Sequence, residues 1–345
     1  MWVGPTAEHK VINDRGKGSI WKKNLNYCEL TALYKIWKNL PEEQTHIGFS
    51  HYRRQLLLKK IANEGKLHSF YSNTSILPIE TISSNNIFCL NSDDFKILDG
   101  MDIVLSCEEN IHGSIEKHFI QNHGFESWNL MIGILEENGE KETVDWLLNK
   151  QNHKSRWGNL FLLRKCFFKD FCEWLFPLLE KMETKAKQIQ GFREERIYGF
   201  IAERMFSSYF NRLISKRKNL NIIQRPTLII DFENPELWNR INGLAPKEKF
   251  WIWGAGSFGE KFLNGLRLIG QEQNVLGFID SNPSVQFQTF LSFEVHPPEY
   301  YFNNENNSNS NFIVVASSKW AEISKKLKFE GRREFLDYFC IKGFQ

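Results

Sequence analysis

Residues 44–55 read QTHIGFSHYRRQ, a short strand-like run that opens directly onto His51-Tyr52-Arg53-Arg54. Two guanidiniums, an imidazole and a phenol presented together at a strand end are equipped to hold a polyanion. Arginine forks bind phosphate oxygens bidentately and stay charged at physiological pH. The plain alternative is a solvated strand end with ordinary surface arginines. A second group lies far downstream, where Gly254-Ala255-Gly256-Ser257-Phe258-Gly259 spells G-x-G-x-x-G after the apolar run Phe250–Trp253 and at the start of a helical pattern. Glycines there let the backbone turn tightly and bring its N–H groups to a phosphate at the positive end of a helix. Asp280 ends the next strand-like run, about twenty residues on, where a ribose-binding acid would sit. Gly254, Gly256, Gly259 and Asp280 are therefore the cofactor-binding candidates of a Rossmann-like fold. Its nucleotide is left open, and a structural or oligomerising module is the alternative.

Composition restricts the classes of function. With 345 residues, 41% hydrophobic, 25% charged and 14% aromatic, the chain reads as globular and long enough for two cores. A net charge of +3, with Lys and Arg spread along the whole chain, argues against nucleic acid as a partner. The six cysteines lack C-x-x-C spacing, so free thiols in a reducing cytoplasm are expected, with neither a zinc site nor a disulfide framework. No apolar run approaches the ~20 residues that span a bilayer, and a signal peptide is not expected. The aromatic-basic stretch FFKDFCEWLFPLLEKMETKAK is a candidate for contact with a membrane surface.

The elements that must position these residues follow from periodicity. Leu30, Leu33, Ile36, Trp37 and Leu40 recur at helical spacing until Pro41. The run from Ile61 to about Lys96 is polar and irregular and reads mostly as loop. MDIVLS (101–106) reads as a buried strand, and EKHFIQNHGFESWNLMIGILEEN as helix with a break at Gly124. TVDWLLNKQ is a further helix, WGNLFLLRK (157–165) a strand with a Gly-Asn start, and KDFCEWLFPLLEKMETKAK and FREERIYGFIAERMFSSYFNRLI are long helices. Strands alternating with helices argue for an α/β fold with a parallel or mixed sheet. Prolines and polar clusters mark residues 221–246 as a linker, dividing the chain into domains 1–220 and 247–345, the second a small βαβ unit of about four strands.

Several of these pieces carry a resemblance. NLNYCELTALYKIWKN (24–39), HIGFSHYRR (46–54), Asp102 in MDIVLS, Asn159 in GNLFLLRK, CEWLF (172–176) and R-x-x-G-F-I-A-E-R (196–204) occur in order. Together they resemble, over residues 12 to 215, a bacterial family of capsular and exopolysaccharide glycosyltransferases long catalogued as a domain of unknown function. The resemblance implies a GT-A-like glycosyltransferase domain that moves a sugar from a nucleotide-sugar, a UDP-sugar and in some members UDP-galactofuranose. The acceptor is expected to be a lipid-linked or oligosaccharide glycan, and the place the cytoplasm, at the inner face of the plasma membrane. GAGSFG, GFIDSNP and VVASS likewise resemble the small Rossmann-like modules attached to sugar-modifying enzymes of bacterial surface polysaccharide pathways. Family members usually begin with a further strand before the Val-Gly seen here at Val3-Gly4, so that nucleotide-facing strand is expected to be absent.

Such a transferase must stabilise a leaving diphosphate. No convincing Asp-x-Asp metal motif is present, and Asp93-Asp94 reads as a helix cap or loop pair. Arg53 and Arg54 are therefore expected to replace or assist a divalent metal, whose participation is left open. His51 would bond a phosphate or the acceptor, and Tyr52 would stack on base or sugar. Asn159 would contact donor or acceptor, and Asn24 and Glu29 would either cap a helix or bond the nucleotide. Glu203 leads the candidates for the base, followed by Glu195, Asp102 and His118. Glu203 beside Arg204 is equally readable as a helix-surface ion pair. A non-catalytic nucleotide-sugar-binding or regulatory protein is the rival reading.

Overall fold

A computed structural model of the chain describes residues 15–40, 42–51, 53–58, 74–84, 87, 90–111, 113–193, 195–245, 248–303 and 311–342. The start at Met1–Gly4 and Tyr52 lie outside the described residues. The chain divides into two units, the first drawn from Met1–Leu56 and Leu90–Arg225, the second from Leu57–Cys89 and Pro226–Gln345. This differs from a simple split at a linker. Residues 221–246 carry strand Ile222–Arg225, strand Thr227–Asp231 and helix Pro235–Asn242, so they are folded into the two units.

In the first unit, four apolar runs form one mixed sheet in the order His46–Phe49, Phe161–Arg164, Ile103–Ser106, Ile222–Arg225. The first two pairings are antiparallel and the last is parallel. WGNLFLLRK is a strand only from Phe161, because Gly158 and Asn159 turn the chain before it. Helix Lys165–Ala186 places Phe167, Phe168, Phe171, Leu175, Phe176 and Leu179 at 3–4-residue spacing, and all are buried. The face offered by sequence as a membrane contact is therefore core: Phe171 packs against Phe206 and Phe210 of helix Ile197–Lys216 at 5.6 and 5.3 Å. The expected break at Gly124 separates helices Ile115–His123 and Phe125–Glu137. Asp93 and Asp94 open helix Ser92–Asp99, where Asn91 is the N-cap and Asp94 closes the capping box.

The second unit holds a six-stranded sheet in the order Thr289–Phe290, Phe293–His296, Val275–Ile279, Phe250–Trp253, Phe312–Val315, Tyr338–Cys340. Only the first pairing is antiparallel, and five strands run parallel, one more than expected. Phe-Trp-Ile-Trp is apolar at every position because both faces are covered: Phe250 and Ile252 enter one core, Trp251 and Trp253 the other.

The polar stretch expected as loop contributes strand Thr74–Pro78 and helix Ile79–Ser84, and the strand pairs in parallel with Thr227–Asp231. Its five residues are all buried, which a reading of the surrounding polarity misses. Helix Ser257–Leu268 lies on this strand, with Asn264 Nδ2 donating to the Thr74 carbonyl at 3.2 Å. A Cβ at Gly265 would stand 2.0 Å from the Ile76 carbonyl oxygen, so backbone meets backbone there. Gly265→Ala is expected to destabilise this unit by about 3 kcal/mol, read as a lowered urea midpoint. An unchanged midpoint would show that helix and strand separate without cost. No helix among the described residues is long and apolar enough to cross a membrane.

Candidate functional site

The strand His46–Phe49 ends in a tight turn. His51 N–H donates to the Arg54 carbonyl at 3.0 Å and Arg54 N–H to the His51 carbonyl at 3.1 Å, which places Arg53 in the turn between them. Arg53 N–H also points to His51 Nδ1 at 3.4 Å, which leaves the ring proton on Nε2. Antiparallel pairing of Phe49 with Phe161 then carries the end of this strand beside the turn that precedes the next. Gly158 at φ 80° and Asn159 at φ 50° make that turn left-handed. A Cβ at Gly158 would also stand 3.2 Å from Arg54 Cδ, so a larger residue there would press on that side chain.

Glu203 joins these pieces. Its Oε1 accepts from Gly158 N–H at 2.9 Å and lies 3.8 Å from Arg54 Nη1, while Oε2 accepts from Arg204 Nη1 at 3.0 Å. Arg204 is 2% exposed, lies over the rings of Trp157 at 4.7 Å and Phe119 at 5.1 Å, and donates from Nη2 to His118 Nδ1 at 3.3 Å. Arg196, left-handed at φ 59° just before helix Ile197–Lys216, places its guanidinium 5.3 Å from the Phe200 ring and close to the Cys28 thiol. Asn159 Nδ2 donates to Glu29 Oε1 at 3.1 Å. Around His51 the charges of Arg54, Arg196 and Arg53 act against Glu203 alone, so the surplus charge is positive.

The imidazoles register that surplus. Burial, then Arg54, lowers the His51 pKa from 6.5 to about 4, with Arg196 and Arg53 adding and Glu203 opposing. Burial, then Arg204, lowers His123, stacked 4.0 Å from Phe200, to about 3. The unfolded chain therefore binds these protons near pH 6.5 and the folded one only near pH 4 and 3. Their stabilisation is present above pH 6.5 and is lost as pH falls from 6.5 towards 4. Between pH 7 and 4.5 the protein is expected to lose about 1–2 kcal/mol, discounted for solvent screening, that a His51→Asn/His123→Asn variant retains. Equal urea-midpoint slopes for the two proteins would contradict this.

Not every candidate gathers here. Asp102 accepts from Arg164 Nε and Asn221 N–H, both at 2.9 Å. It precedes Ile103, which pairs with Leu163 at the far end of the strand from Asn159, so it braces the opposite end of these strands. Asn24 is exposed and folds back onto the Cys28 carbonyl and Thr31 Oγ1, a local role. Glu29 occupies the N-cap of helix Leu30–Lys38 without a side-chain cap bond, because its carboxylate is turned to Asn159. Glu195 is exposed, one residue before Arg196. Sequence reasoning passed over Arg204, Arg196, Trp157 and Cys28 as site residues. The signal available was spacing: Arg196, Gly199 and Glu203 lie on one helical face.

In the second unit the glycine loop is built as the motif requires. Gly254 takes φ 127° with the Ala316 carbonyl 2.3 Å from where its Cβ would be, and Gly259 packs its helix onto the Gly254 carbonyl. Gly256 is open and is the N-cap of helix Ser257–Leu268. Asp280 accepts from Ala255 N–H and Asn282 N–H, both at 2.8 Å, so each of its oxygens already holds loop backbone. Among the described residues, no group of three or more His, Cys, Asp or Glu is placed to hold a metal ion.

Residues 1–216 match the family described as a domain of unknown function (DUF4422). Among solved structures the chain is similar to the apo structure of the bifunctional glycosyltransferase WbbM, with a TM-score of 0.54 and 20% identity. That likeness, one of fold, covers 90% of this chain and 57% of the WbbM chain. No curated protein matches.

Proposed function

The chain belongs to the DUF4422 family, and from that premise we propose that it is a glycosyltransferase of capsule, exopolysaccharide or O-antigen assembly. Its donor is a nucleotide-sugar, a UDP-sugar such as UDP-galactofuranose. Its acceptor is a lipid-linked or oligosaccharide glycan at the cytoplasmic face of the plasma membrane. The observation that supports the reading most is the convergence of Arg53, Arg54 and His51 with the Gly158-Asn159 turn around Glu203.

In this reading Arg53 and Arg54 take the diphosphate, whose charge grows as the bond to the anomeric carbon breaks. Glu203 positions: its oxygens hold Gly158 and Arg204 and keep Arg54 near. His51, neutral at pH 7 with its proton on Nε2, offers that N–H to a phosphate oxygen or to the acceptor. A bound diphosphate cancels the positive field of Arg54 and Arg53, so the imidazole becomes more basic when donor is present. The full engagement of Glu203 also favours a second reading, a non-catalytic nucleotide-sugar-binding protein, since it removes the leading carboxylate base.

The test is UDP release from UDP-galactopyranose and UDP-galactofuranose by purified protein with a glycan acceptor, with and without EDTA. Release that survives EDTA is the expected result, and loss in EDTA would place a metal in the reaction. Binding without release would favour the second reading, and neither binding nor release would overturn both.

A further inference from the structure

Asn159 is 1% exposed, and its amide orientation is dictated by its neighbour. Nδ2 donates to Glu29 Oε1 at 3.1 Å, and an ionised carboxylate only accepts, so Nδ2 faces Glu29 and Oδ1 faces away. Oδ1 is buried, and no group among the described residues donates to it. Buried acceptors without a donor are costly and uncommon in native folds, and each calls for a cause. Two carboxylates from different elements hold two successive residues here, Glu203 the backbone N–H of Gly158 and Glu29 the side chain of Asn159. The turn they hold is left-handed at both residues and adjoins Arg54 Cδ. The acceptor therefore belongs to the residue next to the point where the Arg54 side chain passes.

We propose that Asn159 Oδ1 accepts a hydrogen bond from a hydroxyl of the nucleotide-sugar whose diphosphate lies on Arg53 and Arg54, and that Glu29 sets this polarity. The proposal rests on the nucleotide-sugar reading above and adds what that site selects: a donor hydroxyl beside the diphosphate. Ribose and the transferred sugar both carry such a group. Glu29 acts through Asn159 and is a positioning residue.

Glu29→Gln tests it, because a glutamine amide can donate. Gln Nε2 would draw Asn159 Oδ1 towards itself and turn Nδ2 outward, so the site would present a donor where it had presented an acceptor. Calorimetric titration of the full chain with UDP and with UDP-galactose is expected to show binding about 10- to 100-fold weaker in this variant, with near-UV circular dichroism unchanged. Loss with both ligands places the hydroxyl on ribose, and loss with UDP-galactose alone places it on the sugar. In Glu29→Gln/Asn159→Asp one carboxylate oxygen accepts from the glutamine and the other replaces Oδ1 at constant net charge, so most of the affinity is expected to return. Asn159→Gly keeps the left-handed backbone and removes the acceptor, and it is expected to show the same loss even if Glu29→Gln misfolds. Native-like affinity in Glu29→Gln or Asn159→Gly would overturn the proposal and assign Oδ1 to a water. If Arg54→Ala weakens binding while these variants do not, this proposal alone falls. If the native protein binds neither ligand, the nucleotide-sugar reading falls with it.

Discussion

Replacing Arg53 and Arg54 together by alanine is expected to lower UDP-sugar turnover by at least about 100-fold, since each charge-assisted hydrogen bond to a diphosphate contributes about 1.5–3 kcal/mol. The loss should lie mainly in kcat, because the leaving diphosphate carries more charge in the transition state than in the bound donor. Folding should hardly respond. The Arg54 side chain is 41% exposed and meets Glu203 at only 3.8 Å, a contact worth about 1 kcal/mol or less. An unchanged urea midpoint with turnover collapsed would mark both residues as part of the working site. Turnover within threefold or so of native would contradict any role as stand-ins for a metal.

Glu203→Gln is expected to behave in the opposite way. Arg204 is 2% exposed, and Glu203 is its carboxylate partner at 3.0 Å. Removing the negative charge leaves a buried guanidinium uncompensated, at a cost of about 3 kcal/mol or more. The expected result is a large drop in the urea midpoint, with part of it recovered in Glu203→Gln/Arg204→Met, where no buried charge remains. A general base would show another pattern: activity abolished, stability intact and no recovery from the second substitution. The two outcomes separate a positioning carboxylate from a catalytic one.

Much of the architecture was legible because its periods are short. Phe250–Trp253 followed by G-x-G-x-x-G announces a strand, a tight turn and a helix, and the structure has all three. The helical spacing of the buried face of Lys165–Ala186 was equally plain, but its aromatics and lysines pointed as well to a lipid surface as to a core. Strand Thr74–Pro78 was hidden because its burial comes from Thr227–Asp231 and helix Ser257–Leu268, partners some 150 and more positions away. Residues 221–246 read as a linker for the same reason: proline and polar residues mark turns, while the pairing of Ile222–Arg225 with Ile103–Ser106 is non-local.

By itself the sequence determined the residue types at the strand end, His51, Arg53 and Arg54, and the helical face shared by Arg196, Gly199 and Glu203. These are local properties, set by spacing of two and of three to four residues. Only the tertiary structure decided what each of them meets. The register of Phe49 with Phe161 brings the Gly158-Asn159 turn to Arg54 and leaves Asp102 at the other end of the strands. The packing of helix Ile197–Lys216 buries Arg204 and turns Glu203 towards the turn. Direction and register are properties of pairs of distant segments, and a carboxylate becomes a base, a brace or a clamp according to which segment lies opposite it.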